Sequence, residues 1–249
     1  MRNPFNGSPD LETSITLKKI DLGPWLSGIW PRPLKGSVRG KLDPVRWEGG
    51  TLRTKGEIVA NLFGGQMTLS NIGAMRSLSL APVIHMDAAW EDFNLAEMTR
   101  DTAFGKIEGS LRGNVKGLEI ADGQPQKFDL FMETVKKKDV PQKISVRAVD
   151  NIAQIGGGAS PFGGVTGAFV SLFKELPYEK MGVKASLEND VFRINGTIKE
   201  NGREYLVKKG GFSGVDVIIG SSGSNTISFK DMVKRIRRVT ASQEGPAIK

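Results

Sequence analysis

The chain has no cysteine, which excludes disulfides, thiol nucleophiles and thiolate-bound metals. It has one histidine, His85, so no metal site can be built from several imidazoles. His85 sits in the alternating run Val83-Ile84-His85-Met86-Asp87-Ala88 and reads as a structural residue. No Gly-x-x-x-x-Gly-Lys-Ser/Thr phosphate loop and no Gly-x-Ser-x-Gly elbow occurs. The carboxylates are scattered among basic neighbours, with no pair suited to acid–base work. The chain therefore reads as a protein that catalyses nothing and carries no cofactor. Residues 1–12 contain Arg2, Asp10 and Glu12 and no apolar core segment, unlike a signal peptide. No stretch reads as a conventional transmembrane helix. Nor is there any charged residue from Asn151 to Phe173.

Glycine, by contrast, is abundant. The chain has 31 among 249 residues, against a usual share of about 7%. These glycines are spread through alternating patterns, which points to bent strands and turns. The net charge is +8, a balance suited to nucleic acid, an anionic membrane surface or an acidic ligand. Aromatic residues do not interleave with the basic ones, so nucleic acid is not expected.

Period-two alternation dominates the first 150 residues. From Thr51 to Gly64, Leu52, Thr54, Gly56, Ile58, Ala60 and Leu62 share one face, while Arg53, Lys55, Glu57, Val59 and Asn61 share the other. From Gly105 to Lys116, Ile107, Gly109, Leu111, Gly113 and Val115 alternate with Lys106, Glu108, Ser110, Arg112 and Asn114. Further short strands are expected at 14–20, 66–72, 83–90, 127–134 and 143–149. Asn94 predicts an N-cap for a helix at 94–101. An internal repeat is also present. Shifted by 73 residues, Gly36-Ser37-Val38-Arg39-Gly40 falls on Gly109-Ser110-Leu111-Arg112-Gly113, with apolar agreement downstream as far as Gly50 and Gly123. The repeated unit reads as strand, turn, strand.

Near Asp150 the pattern changes, and the domain boundaries are drawn at 1–150, 151–240 and a disordered tail at 241–249. Gly156-Gly157-Gly158 must be loop. An apolar helix is expected at about 162–174, either capping the sheet or touching a membrane. It is too short to span a bilayer, which takes about 20 residues. Strands return around Val183–Leu187 and Phe192–Ile198, with a turn at Glu188-Asn189-Asp190, a hairpin at Asn201-Gly202 and one or two strands in 203–219. Ser228 opens a basic helix at 229–239. Its Lys234, Arg235, Arg237 and Arg238 are candidates for contact with head groups or a partner; a solvated face is the plain alternative.

A strand-rich chain with one apolar face must cover that face. It can close as a sandwich, or curl into an open groove that holds acyl chains; the pattern leaves both open. Glycines at Gly56, Gly109, Gly113 and Gly196 would favour curvature.

Several stretches resemble the AsmA-like superfamily: Gly36 to Gly40, Leu62-Phe63-Gly64-Gly65, and Ala103 to Gly109. Lys143 to Val149, Gly156-Gly157-Gly158, Pro177-Tyr178-Glu179-Lys180 and Phe192 to Thr197 resemble the C-terminal region of its YdbH type, a group also labelled as dicarboxylate transport. The resemblance implies a mainly β protein, a curved antiparallel groove (β-taco-like) with a few short helices. It implies part of a periplasmic bridge, anchored in the inner membrane by a segment absent here. Such a bridge supports lipid movement between membranes and works with a small outer-membrane lipoprotein, which could dock by β-augmentation. On this reading phospholipid acyl chains would run along Leu52, Ile58, Leu62, Ile107, Leu111, Val115, Phe192 and Ile194. The alternative is a structural or assembly module of the cell envelope that binds protein and no lipid.

Overall fold

The computed structural model describes residues 10–26, 34–77, 79–100, 102–162, 175–219 and 225–241. Over these residues the chain is mainly β, with a single large antiparallel sheet that is not closed and four short helices. The elements run β1 (Leu11–Asp21), α1 (Gly23–Leu26), β2 (Ser37–Glu48), β3 (Thr51–Leu62), β4 (Gly65–Met75), β5 (Val83–Asn94), α2 (Leu95–Thr99), β6 (Ile107–Glu108), β7 (Ser110–Ala121) and β8 (Gln124–Val135). Then follow β9 (Lys143–Ser145), α3 (Val146–Ile155), β10 (Glu175–Glu188), β11 (Val191–Gly196), β12 (Ile198–Glu200), β13 (Arg203–Lys209), β14 (Val217–Ile218), β15 (Thr226–Ser228) and α4 (Phe229–Ala241). The main strand order is β1-β2-β3-β4-β5-β7-β8-β10-β11-β15, with β6, β9, β12, β13 and β14 pairing off this path. The sandwich alternative is thereby corrected. Among the described residues the strands form one sheet that is not closed, so no second sheet is present to make a sandwich.

Tight turns set the register. The connections β2–β3, β3–β4, β7–β8, β10–β11 and β12–β13 each have two residues at positive φ, as in type I′ hairpins: Gly49-Gly50, Phe63-Gly64, Asp122-Gly123, Asn189-Asp190 and Asn201-Gly202. The turns expected at Asn189-Asp190 and Asn201-Gly202 are in place. Phe63 is the costly member, a buried aromatic residue held at φ 50.

The repeat extends well beyond the glycines. Shifted by 73 residues, β2 falls on Ser110–Ala121 and β3 on Gln124–Val135, which are the bounds of β7 and β8. β1 falls on Ile84–Asn94, within β5, and α1 falls on Ala96–Thr99, within α2. The hydrogen bonds repeat as well. The Leu22 N–H donates to Gly36 O at 3.0 Å, and the Leu95 N–H to Gly109 O at 3.0 Å. Asp21 Oδ1 accepts from the Gly23 N–H at 2.9 Å, and Asn94 Oδ1 from the Ala96 N–H at 2.9 Å. Asn94 is thus the N-cap it was expected to be. The shift fails at β4, whose counterpart region 138–148 holds a loop, β9 and the start of α3.

Contacts divide the chain into two compact units. The first comprises Met1–Asp92, Gly113–Leu130 and Leu187–Asn189; the second comprises Phe93–Arg112, Phe131–Ser186 and Asp190–Lys249. In the second, α3 and α4 pack on each other, and α3 also packs on β9 and β14. Ile144, Val149, Val207, Val217 and Met232 are almost fully enclosed there. The strand expected at 143–149 is corrected. It stops at Ser145, whose hydroxyl accepts from the Ala148 N–H and caps α3. Val146, Ala148, Val149, Asn151 and Ala153 then bury one helical face. Val146 and Ala148 fit either period, which is why alternation misread them. Residues 163–174, most of the expected apolar helix, lie outside the described residues, as do residues 242–249 of the expected tail. The basic helix forms as expected. The Ser228 hydroxyl accepts from the Asp231 N–H at 3.1 Å and donates to the Asp231 carboxylate at 2.9 Å.

Two buried polar arrangements stiffen the second unit. Gly109 adopts φ 148, and a Cβ there would sit 2.1 Å from the Tyr178 hydroxyl. That hydroxyl donates to Glu108 O at 2.6 Å, and burial pushes the phenol well above its ordinary range. Glu133, 7% exposed, accepts from Arg112 at 2.5 Å and pairs with Lys180 at 2.7 Å. Burial alone would push its carboxyl up, but the bonds from Lys180 and Arg112 outweigh it and hold the carboxyl below its ordinary value.

Gly109→Ala is expected to destabilise the protein by about 1–3 kcal/mol through backbone strain and displacement of Tyr178, measured by urea denaturation. Glu133→Gln should cost about 1–3 kcal/mol at neutral pH. Because the folded carboxyl titrates below the unfolded one, its contribution is present above about pH 4.3. It is lost as pH falls through the folded value, so the gap between parent and variant should narrow on acidification.

Candidate functional site

The alternation of the first unit places apolar residues on one face across five strands. Residues directly opposite in an antiparallel pair share a face. Leu52 pairs with Trp47 of β2 and Ala74 of β4; Trp47 pairs with Leu11 of β1, and Ala74 with Ile84 of β5. Further along the same face, Ile58 pairs with Gly40 and Leu69, Gly40 with Leu17, and Leu69 with Ala88. The row beyond runs Ile20, Val38, Ala60, Met67, Trp90. The opposite face carries Glu12, Arg46 and Arg53, and in another row Lys41, Glu57, Ser70 and Asp87. Each strand is thus amphipathic, and the rows add up to one continuous apolar surface.

That surface is open at its margins, while Leu42, Val45, Ala60 and Trp90 of the same face are each at most 9% exposed. Leu11 is 52% exposed, Ile15 43%, Ile20 40% and Ile84 39%. Leu52, Ile58, Leu62, Leu69 and Met67 are half-buried. The extensive contacts of β1, β2 and β3 are with neighbouring strands. Apolar area that a sheet cannot cover itself is what an acyl chain or another protein surface covers.

Bulges bend these strands. The β2–β3 register shifts between Leu42 and Val45, and the β3–β4 register shifts between Arg53 and Glu57. Gly56 sits at this break with φ 98; a Cβ there would meet Lys41 O at 2.1 Å, so only glycine fits. A hollow of about 630 Å³ opens beside it, lined by Leu17, Arg39, Gly40, Lys41, Asp43, Gly56, Glu57 and Val59. Its two cations and two carboxylates balance, so it has no net charge to select an anion. His85 lies on the polar face over Gly73, where a Cβ would strike its ring; it fills the space that the glycine leaves.

The expected lining residues divide. Leu52, Ile58 and Leu62 lie on the open face of β3, and Val115 is half-buried on β7. Ile107, Leu111, Phe192 and Ile194 are each at most 9% exposed. They belong to the packed core of the second unit, where the Phe192 ring meets Phe229 of α4 at 6.4 Å. Alternation showed which residues share a face, but not whether helices cover that face. The expectation also missed Leu11, Leu17 and Ile20 of β1, which the alternation of 14–20 partly signalled.

The basic residues are held on α4, whose Met232 and Val239 are buried. Lys234 pairs with Asp231 at 3.0 Å, and Lys234 and Ser228 hold that carboxyl below its usual range. Arg235 Nη1 approaches Ile155 O at 3.5 Å, while Arg237 and Arg238 are exposed. Among the described residues no helix is long and apolar enough to cross a membrane. No protein-family model, curated protein or solved structure matches the chain.

Leu111→Glu is expected to unfold the second unit, because it drives a charge into packed core. Leu52→Glu should leave the fold intact. Circular dichroism and thermal melts of both variants test the assignment.

Proposed function

We propose that this chain holds phospholipid acyl chains along the apolar face formed by β1 to β5 and acts as part of a periplasmic bridge that supports lipid movement between membranes. One observation carries the reading. The face is continuous over five strands, yet leaves Leu11, Ile15, Ile20 and Ile84 substantially exposed. A buried core would have hidden such residues, and a purely solvated sheet would not have gathered them in rows. The resemblance of Gly36–Gly40 and Leu62–Gly65 to AsmA-like proteins favours lipid over other apolar cargo.

Movement along such a surface requires no covalent chemistry. Acyl chains gain about 25 cal/mol per Å² of apolar area removed from water, and rows of similar residues offer near-equal sites along the way. Head groups remain at the wet margin, where charged residues of the polar face begin. Exposed cations of α4, among them Lys234, Arg237 and Arg238, suit contact with anionic head groups.

The purified chain should carry phospholipid, detected by native mass spectrometry and by solvent extraction. Ile58→Asp together with Leu52→Glu should remove most of it while circular dichroism stays unchanged. A parent chain without bound phospholipid, stable and folded, would sink the lipid reading and favour an assembly module that binds protein.

A further inference from the structure

The 73-residue repeat sets two strands of the sheet in correspondence. β1 is the first strand of one unit, and β5 is its counterpart in the next. β5 does not stand at an edge. The side equivalent to β1's free edge is held by β4, the fourth strand of the preceding unit, in an antiparallel ladder from Gln66↔Glu91 to Met75↔Val83 with one bulge between Ser70 and Gly73. Among the described residues β1 has a single neighbour, β2. All its residues but Leu17 are exposed. Leu17 is the counterpart of Trp90, which β4 helps to bury.

The edge is long. Strand edges are normally blunted by short length, proline, bulges or charge, lysine above all; in β1 that guard is limited to bulges at Thr13/Ile15 and Leu17/Ile20 and the pair Lys18-Lys19. β1 has eleven residues and no proline, and its apolar face presents Leu11, Thr13, Ile15, Leu17 and Ile20. The opposite end of the main path, β15, has only three residues.

We infer that the free edge of β1 accepts an antiparallel strand of the β4 type, supplied by the fourth strand of a further 73-residue unit. Its register follows from transposing the β4–β5 ladder. Residues equivalent to Met67, Leu69 and Ala74 would lie opposite Leu17, Ile15 and Leu11, and the residue equivalent to Thr68 opposite Thr16. Apolar side chains then extend the same rows, and polar ones extend the other face; a one-residue slip would invert both. A second copy of this chain cannot supply that strand, because its β4 is already held between β3 and β5. This inference is independent of the cargo proposed above.

The absence of cysteine makes the register testable. The full chain carrying Thr16→Cys is mixed under oxidising conditions with a synthetic peptide of residues 64–76 bearing cysteine in place of Thr68. Ser14→Cys and Lys18→Cys chains serve as register controls on the same strand face. A disulfide at position 16, lost at 14 and 18, is expected. Hydrogen exchange on the unmodified chain with the unmodified peptide should show new protection confined to β1. Equal cross-linking at the three positions, no cross-link with no protection, or disulfide-linked chain dimers formed in preference to the peptide adduct would overturn the inference.

Discussion

The register of the antiparallel ladder is the constraint on which everything else rests. Side chains alternate faces with period two, so one slipped residue would move every apolar group of a strand to the charged side. Two-residue turns remove that freedom. Gly49-Gly50, Phe63-Gly64 and Asp122-Gly123 tie consecutive strands at fixed offsets, and the right-handed twist of the strands matches the I′ geometry. The rows Leu11–Trp47–Leu52–Ala74–Ile84 and Leu17–Gly40–Ile58–Leu69–Ala88 follow from those turns and ladders alone.

Within that frame the two units solve the same problem in different ways. The second covers its apolar strands with α3 and α4, enclosing Val149, Val207 and Met232. A helix laid on a sheet hides a sheet face outright. The first keeps Leu52, Ile58 and Leu62 half-buried and Leu11, Ile15 and Ile20 exposed. Stability and accessibility of apolar surface pull against each other, and the chain assigns them to different segments.

The repeat accounts for three glycine pairs, Gly36/Gly109, Gly40/Gly113 and Gly50/Gly123. Gly36 and Gly109 receive the same hydrogen bonds from Leu22 and Leu95, at the same distance. Side chains crowd both positions, Leu62 at the first and Tyr178 at the second. A glycine kept at corresponding sites with different neighbours reflects a shared backbone path more than a shared contact. The unit is a strand, a short capped helix and a hairpin, and its fourth strand joins one unit to the next.

Much of this was legible from residues alone. Alternation located the strands, Asn94 and Ser228 announced their helices, and the glycine repeat disclosed the 73-residue period, because each depends on chemistry within a few positions. The misreadings arose where local chemistry was ambiguous. Val146 and Ala148 satisfy both periods, and burial against β9 and β14 decided for helix. Ile107, Leu111, Phe192 and Ile194 alternate as cleanly as Leu52 and Ile58, so the pattern could not separate core from open face. Period-two patterning and turn residues act locally, so the residues themselves say which side of each strand is apolar. Which of those sides is covered depends on helices distant in the chain, whose docking no local pattern encodes.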